Sequence, residues 1–168
     1  MEILFDSAVS AEKYKTRIFL VSSLEDAAKC NLSVFEQKLV AAKTAQFSSE
    51  YLWVETVDRT TFLVVVKNLE DPEYGDQLRK LGCDVYNAAK SGKQPEVVIR
   101  NVSALAFNAY CFLEGFSLSQ YSFGKYSERL APKMFDRVVC CGQDCGNVHE
   151  LNSILKGVFV AKDLINEP

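Results

Sequence analysis

The sequence predicts a three-layer α/β/α sandwich with a mixed, mostly parallel sheet, built as a single domain over residues 1–168. Short runs rich in β-branched and aromatic residues alternate with longer segments that have a helical apolar period. This alternation favours parallel strands, because parallel neighbours need long crossover connections. Two of the runs are separated by only a few residues, which predicts one antiparallel hairpin within the sheet.

Five runs have the composition of β-strands. Asp58 and Arg59 can form the tight turn between the second and the third run, so these two strands are expected to pair as the hairpin. The strands are predicted at residues 17–22, 51–57, 62–67, 96–102 and 135–141.

The first two helices are marked by capping residues. Ser33 and Glu36 form a Ser-x-x-Glu capping box, which predicts a helix from Ser33 to about residue 46. Asp71 can cap a second helix whose first position is Pro72, and an apolar stripe continues this helix to about Gly92. The stripe consists of Tyr74, Leu78, Leu81, Val85 and Ala88.

The last two helices differ in how much apolar surface they carry. Ser103 is expected to open a helix that is apolar almost all round and therefore buried on more than one side. Only Asn108, Glu114 and the Ser and Gln residues at its end are expected to face water. Asn147 is expected to open the last helix, with Glu150 in its third position. The apolar flank of that helix is Leu151, Leu155, Val158 and Ile165, with Ile154 and Phe159 beside them.

Composition and charge narrow the class of protein. Apolar residues make up 48% of the chain, and no apolar run approaches the length of a membrane span. Residues 1–15 carry Glu2 and Asp6 where a secretory signal needs positive charge, so a cytoplasmic location is expected. A net charge of −3 provides no basic surface for phosphate backbones. Neither a nucleic acid nor a membrane is therefore an expected partner.

The six cysteines are expected to be free thiols, as is usual in a reducing compartment. Cys30, Cys83 and Cys111 lie in or beside predicted helices. Buried cysteine behaves as a small hydrophobic residue, so these three are expected to pack in the core.

A second group of cysteines lies close together near a histidine. Cys140, Cys141, Cys145 and His149 could in principle supply a tetrahedral zinc site. Neighbouring residues on a strand point to opposite faces, however, so Cys140 and Cys141 cannot both join the other two ligands without distortion. The alternative is a strand end followed by a helix start, with His149 at the surface.

Several common catalytic and cofactor-binding motifs are absent from the sequence. A single histidine excludes any site that needs two, such as His-x-x-x-His. The chain has no Gly-x-Ser-x-Gly elbow, no Walker phosphate loop and no Gly-x-Gly-x-x-Gly turn. Its eight glycines are scattered, with no two adjacent.

Two segments have a weak likeness to nucleotide-binding sequences. Asn87-Ala88-Ala89 resembles a motif of ADP-ribose-binding macro domains, but only Gly92 follows it, where those domains have a run of glycines. The loop at residues 121–133 interleaves aromatic and basic side chains, which can stack on nucleobases. Glu128 and the overall acidity oppose that use, and a loop that is solvated or packs on another domain or subunit is the alternative. The side chains concerned are Tyr121, Phe123, Tyr126, Lys125, Arg129 and Lys133.

Two longer segments carry a more specific resemblance. The chain ends on LKGVFVAKDLINEP (155–168), and FLEGFSLSQYSFGKYSER lies upstream at residues 112–129. Both resemble leucine (cytosol) aminopeptidases, in which the first kind of sequence forms the junction between an N-terminal and a catalytic domain. The matching positions are Glu114, Gly115, Tyr121, Phe123, Tyr126 and the run from Asp163 to Pro168.

The resemblance implies that this chain is the front part of a larger enzyme. The parent would be an exopeptidase that releases N-terminal residues from peptides with two divalent ions, zinc or manganese. The family's metal ligands and catalytic residues lie in the C-terminal domain, so no catalytic, cofactor-binding or metal-binding residue is assigned here. The family's N-terminal domain is macro-domain-like in fold and contributes to a hexamer. The implied partners are the parent's catalytic domain and other copies, and the alternative is a free-standing macro-like module that binds ADP-ribose or a related nucleotide.

Overall fold

The computed structural model describes residues 2–44, 50–67, 69–90, 94–103, 105–121 and 135–167. Its strands are β1 (Glu2–Phe5), β2 (Thr16–Val21), β3 (Tyr51–Glu55), β4 (Thr60–Val65), β5 (Glu96–Asn101) and β6 (Arg137–Gly142). Its α-helices are α1 (Val34–Thr44), α2 (Pro72–Ala89), α3 (Ala106–Leu118) and α4 (Val148–Asn166). Two 3₁₀ helices, Ala11–Lys13 and Leu24–Cys30, lie before α1.

The strands form one mixed sheet in the order β1-β6-β5-β2-β4-β3. All neighbours are parallel except β3 and β4, which form the expected antiparallel hairpin. The predicted fold class, a three-layer α/β/α sandwich with a mostly parallel sheet, is confirmed. Among the described helices, none has the length and apolarity needed to cross a bilayer.

Helices cover both faces of the sheet and create two apolar cores. Ile18 and Leu20 of β2 point into a large core under α2, α3 and α4. Phe19 and Val21 point the other way, into a smaller core under α1 and the 3₁₀ helices. A strand buried on both faces needs a continuous apolar run, which is what β2 and β4 supply.

The predicted N-terminal caps are confirmed for three helices. Ser33 Oγ accepts a hydrogen bond from the Glu36 amide at 3.2 Å, and the Glu36 carboxylate accepts one from the Ser33 amide at 2.9 Å. Asp71 accepts from the Tyr74 amide, and Asn147 accepts from the Glu150 amide. These bonds satisfy backbone donors that the first helical turn leaves without partners.

Three predictions about local structure are wrong. Strand β1 was not predicted, because its four residues become a strand only by pairing with β6. Ser103 does not open α3; its hydroxyl and amide donate to Asn101 Oδ1 at 2.7 and 3.1 Å, and the helix begins at Ala106. Asn108 does not face water: it is fully buried, and its side-chain amide donates to the Lys67 carbonyl at 2.7 Å.

A buried ion pair fastens α1 to the sheet. Arg17 of β2 and Glu36 of α1 are each only 1% exposed, and the Arg17 guanidinium donates to the Glu36 carboxylate. Thr61 of β4 links the two, since its hydroxyl donates to Glu36 at 2.8 Å and accepts from Arg17 at 2.9 Å. The three side chains therefore satisfy one another across two strands and a helix, as buried charges must.

The surroundings of Glu36 favour its ionised form. Burial alone would raise the pKa of this carboxyl. Hydrogen bonds from the Ser33 amide, from the Thr61 and Ser33 hydroxyls and from Arg17 outweigh burial and lower the pKa to about 2. Because the folded pKa lies below the ordinary value of 4.5, this carboxylate stabilises the fold above that pH and ceases to do so as the pH falls towards 2.

We predict that Glu36→Gln lowers the free energy of unfolding at pH 7 by about 3–5 kcal/mol, because Arg17 stays buried without its countercharge. Urea denaturation measures the change, and Glu25→Gln, at an exposed carboxylate, is the matched control with a loss below about 0.5 kcal/mol. The difference between wild type and Glu36→Gln should shrink between pH 5 and pH 2. A difference that stays constant with pH would contradict the low pKa of Glu36.

Candidate interdomain junction

Helices α2 and α3 touch backbone to backbone at two glycines. A Cβ atom on Gly82 would lie 2.3 Å from the Phe112 carbonyl oxygen, and one on Gly115 would lie 1.9 Å from the Arg79 carbonyl oxygen. Neither position has room for any side chain. The close approach fixes how α3 lies against α2 and the sheet.

An ion pair spans the same helix contact. Arg79 Nε of α2 donates to the Glu114 carboxylate of α3 at 2.6 Å, and Arg79 Nη1 donates to Asp76 at 2.9 Å. The hydrogen bond to Glu114 raises the pKa of Arg79. Glu114 and Gly115, two positions of the aminopeptidase resemblance, therefore both act in packing α2 on α3.

The end of α3 holds the end of α4 through Tyr121. The Tyr121 hydroxyl donates to Asp163 Oδ1 at 2.9 Å and accepts from Asn166 Nδ2 at 3.3 Å. The centroid of the Tyr121 ring lies 5.5 Å from that of Phe159 and 4.9 Å from Lys162 Nζ, and both of these residues belong to α4. These five residues are called the Tyr121 clamp.

The clamp brings together the two segments that carry the aminopeptidase resemblance. Tyr121 belongs to the upstream segment, and Asp163 and Asn166 belong to the C-terminal one. Three other matching positions, Phe123, Tyr126 and Pro168, lie outside the described residues. Sequence reasoning did not find Arg79, Gly82 or Lys162; a glycine inside a strong helical period was the available signal for Gly82.

Helix α4 packs on the sheet through one side of its first half, whereas its second half is largely exposed. Leu151 and Leu155 are buried, and the Asn152 side chain makes two hydrogen bonds to the backbone of Ile3, at 3.1 and 2.7 Å. Ile165, which was expected to continue the apolar flank, is 81% exposed. The exposed apolar residues of the helix are Ile154, Val160, Leu164 and Ile165. We call them the α4 apolar surface.

The cysteine cluster does not assemble as a zinc site. Cys140 and Cys145 are joined by a disulfide, which corrects the expectation that all six cysteines are free thiols. Cys141 points into the opposite core, as the alternation of the strand predicts. His149 lies exposed in the first turn of α4. Among the described residues, no three His, Cys, Asp or Glu side chains lie close enough together to hold a metal ion.

The carboxyl edge of the sheet, where α/β proteins commonly bind nucleotides, is occupied by internal hydrogen bonds. Asn101 donates to the Asp144 carbonyl at 2.7 Å and accepts from Ser103, and the Gln143 amide donates to the Asn101 carbonyl at 2.9 Å. The Asn87 amide oxygen accepts a hydrogen bond from Lys90 within the same helix turn. The residues that follow Lys90, up to 93, lie outside the described ranges.

Two surface clefts lie beside α1, away from the Tyr121 clamp. One of about 500 Å³ contains Arg59, Asp58, Glu12 and the exposed ring of Phe35. The other, of about 550 Å³, runs between α1 and the second 3₁₀ helix and includes Leu32, Val40 and Ala41. Glu36, the one buried carboxylate in these linings, is already bound by Arg17 and Thr61.

Comparison with known proteins identifies the fold. The whole chain superimposes on 38% of the length of a tomato leucine aminopeptidase variant, with a TM-score of 0.67 and 13% sequence identity. It also matches a leucyl aminopeptidase from Trypanosoma cruzi, with 99% of this chain on 37% of that one, a TM-score of 0.59 and 13% identity. A bottromycin maturation enzyme, BotP, matches over 92% of this chain and 33% of its own, with a TM-score of 0.59 and 13% identity.

These matches concern the fold and cover a part of larger proteins. No family model matches the sequence, and no curated protein matches it at the level of sequence. The chain spans somewhat over a third of the length of the leucine aminopeptidases on which it superimposes. The fold that the resemblance implied is therefore found.

We predict opposite effects for alanine at two helical glycines. Gly115→Ala should destabilise the chain by about 3 kcal/mol, the upper end for overpacking, because its Cβ meets rigid backbone of α2. Gly157→Ala on α4 is the matched control: apart from its own helix backbone nothing lies within 4 Å of its Cβ, so it should stabilise by about 0.5–1 kcal/mol. Thermal unfolding measures both. Equal stability of Gly115→Ala and wild type would contradict the close approach of α2 and α3.

Proposed function

We propose that this chain is the non-catalytic N-terminal domain of a metal-dependent leucyl aminopeptidase-like enzyme. The parent would hydrolyse N-terminal residues from peptides. The observation that carries the proposal is the superposition of the entire chain on about a third of leucine aminopeptidases, with no residue left outside the match to tomato leucine aminopeptidase. The role of the domain is structural: it supports the catalytic domain and takes part in assembly of the oligomer.

The Tyr121 clamp and the α4 apolar surface support this role. The clamp holds the last turns of α4 against α3, so the direction in which the chain leaves the domain is fixed. Beyond Leu155 the helix turns apolar side chains to solvent, with Leu164 67% and Ile165 81% exposed. Apolar residues clustered at the end of a helix mark a surface that another domain covers.

The donor groups in the described part of this chain do not fit a two-metal centre. Two-metal hydrolases need several carboxylates converging on a pair of ions. The described residues contain no group of three ligating side chains, and the closest cysteines are joined to each other. The zinc or manganese ions of the parent would therefore be held by its catalytic domain, and this chain contributes no step of the hydrolysis.

We place the parent in the cytoplasm as a homo-hexamer, with neither nucleic acid nor membrane as a partner. In that assembly, the α4 apolar surface contacts the catalytic domain of the same polypeptide. The macro-domain-like character of the fold belongs to the same proposal.

We expect no aminopeptidase activity from this chain alone. Hydrolysis of Leu-p-nitroanilide should stay at the level of the buffer when manganese or zinc is added, and a leucine aminopeptidase assayed in parallel is the positive control. Turnover that copurifies with the folded chain and grows with its concentration would overturn the assignment of catalysis to another domain.

A macro-like module that binds ADP-ribose is the rival function. One observation favours it: the buried side-chain oxygen of Asn108, near the end of β4, has no hydrogen-bond partner within the described residues. Calorimetric titration with ADP-ribose separates the two functions. We expect no heat of binding at micromolar ligand, and saturable micromolar binding that Asn108→Ala abolishes would favour the rival.

We predict that Leu164→Glu lowers the free energy of unfolding only when a catalytic domain is present. In this chain alone the change should alter the free energy of unfolding by less than about 0.5 kcal/mol, since the side chain is exposed. In the two-domain polypeptide it should cost about 2 kcal/mol, because a charge is then buried in the contact. Lys156→Glu, at an exposed polar position of α4, is the matched control. Equal effects in both polypeptides would contradict the proposed contact.

A further inference from the structure

The two sulfurs of the disulfide lie in very different surroundings. Cys140 is in β6, an inner strand between β1 and β5, and its carbonyl accepts a hydrogen bond from the Asp6 amide at 3.0 Å. Cys145 is in the connection between β6 and α4, directly after the exposed Asp144. Both side chains are 0% exposed. A reagent can therefore reach either sulfur only after some part of the structure opens.

The disulfide joins the sheet to the start of α4. Cys145 precedes Asn147, the residue that caps α4, by two positions. The bond thus ties the capped end of the helix to the strand that precedes it. Helix α4 also has two other attachments, the Asn152 bonds to Ile3 and the Tyr121 clamp, so it stays docked when the disulfide is absent.

The same connection is held by bonds that do not depend on the sulfurs. Asn101 Nδ2 donates to the Asp144 carbonyl at 2.7 Å, and the Asp144 carboxylate accepts from the Gly146 amide at 2.8 Å. Gly142 and Gly146 adopt positive φ angles of 93° and 76°, which other residues rarely accept. Reduction would therefore leave the two thiols near each other and able to recombine.

We propose that Cys140 and Cys145 form a reversible thiol–disulfide site that exchanges with a glutathione-type disulfide, with Cys145 as the sulfur that reacts first and Cys140 as the one that completes the reaction. Local opening of a loop costs less free energy than opening an inner strand. The sulfur on the connection is therefore exposed far more often than the sulfur in β6. This step rests on the cytoplasmic location proposed above, because disulfides of cytoplasmic proteins are commonly of this transient, redox-responsive kind.

The exchange balances in two steps. The Cys145 thiolate attacks one sulfur of oxidised glutathione, forming a mixed disulfide and releasing one glutathione thiolate. The Cys140 thiolate then attacks the Cys145 sulfur, which forms the protein disulfide and releases the second glutathione. Two protein thiols have lost two protons and two electrons, and one oxidised glutathione has become two reduced ones. Reduction follows the same steps in reverse.

The other buried cysteines are poorly placed for this chemistry. Cys30 and Cys111 lie on other elements, and Cys141 points into the opposite core. None of Cys30, Cys111 and Cys141 forms a disulfide, so none of them has a second sulfur at bonding distance that could complete the exchange. Cys83 of α2 is partly exposed and serves as an internal reference for general thiol reactivity.

The test is peptide mapping after oxidation of the reduced 168-residue chain with oxidised glutathione. Wild type should yield the Cys140–Cys145 disulfide. Cys140→Ser should accumulate one glutathione on Cys145, whereas Cys145→Ser should carry roughly tenfold less glutathione on Cys140, because that sulfur stays within the sheet. Circular dichroism establishes that both variants are folded. If either variant is unfolded, the wild-type reaction is quenched early and the glutathione on Cys140 and on Cys145 is compared directly. The mixed disulfide is then expected on Cys145.

Hydrogen exchange provides an independent readout. Amides 147–151, in the first turn of α4, should exchange about tenfold faster in the reduced than in the oxidised wild type, while those of α2 stay unchanged. Three results would overturn the proposal: no protein disulfide in wild type at a tenfold excess of oxidised over reduced glutathione, equal or greater modification of Cys140, or identical exchange of the α4 amides in both redox states.

Discussion

The close contact of α2 with α3 is the constraint on which the rest of the arrangement depends. Gly82 and Gly115 let the two backbones meet where a single methyl group would collide with a carbonyl oxygen. That contact places the C-terminal end of α3, and Tyr121 directly beyond it then reaches the last turns of α4. A displacement of α3 would move Tyr121 with it, because packed helices shift as rigid bodies rather than deform. The hold of Tyr121 on the last turns of α4 therefore depends on the contact of α2 with α3, while the first half of α4 is held separately by its core residues and by the Asn152 bonds to Ile3.

The helices on the two faces of the sheet are held by different kinds of interaction. On the face under α2, α3 and α4, apolar packing dominates, with aromatic rings such as Tyr86, Phe116 and Phe135 in edge and stacked contact. On the other face α1 and the two 3₁₀ helices cover the sheet, and the buried Arg17–Glu36 pair with Thr61 fixes the position of α1. A buried ion pair adds little net stability compared with apolar packing, but it allows only one arrangement of the groups involved. The helices that form the proposed junction thus pack on one face of the sheet, and α1 is held on the opposite face by a separate set of contacts.

The sequence predicted most of the fold because most of its signals are local. Ser33, Asp71 and Asn147 cap helices through bonds to residues three positions away, and the strand composition of β2 and β4 follows from burial on both faces. Two of the failures involve distant partners: β1 depends on pairing with β6, and Asn108 donates to the Lys67 carbonyl. The third is local, because the Ser103 hydroxyl donates to Asn101, two residues earlier, and does not cap α3. The disulfide joins cysteines only five positions apart and was missed for another reason, since spacing alone does not show whether two sulfurs come within bonding distance. The resemblance supplied Glu114, Gly115, Tyr121 and Asp163 as positions, whereas their contacts with one another and with Arg79 emerged only from the packed structure.

The central claim is that this chain by itself presents α4 as a rigid, preformed connection. Backbone ¹⁵N relaxation on the isolated chain tests it most directly, because it reports order on the picosecond to nanosecond scale for each residue of the helix. We expect order parameters of about 0.85 to continue from the first half of α4, which packs on the sheet, through Asn166, as the Tyr121 clamp requires. Order parameters that fall below about 0.6 from Val158 onward would contradict the claim, since α4 would then acquire its direction only from a partner.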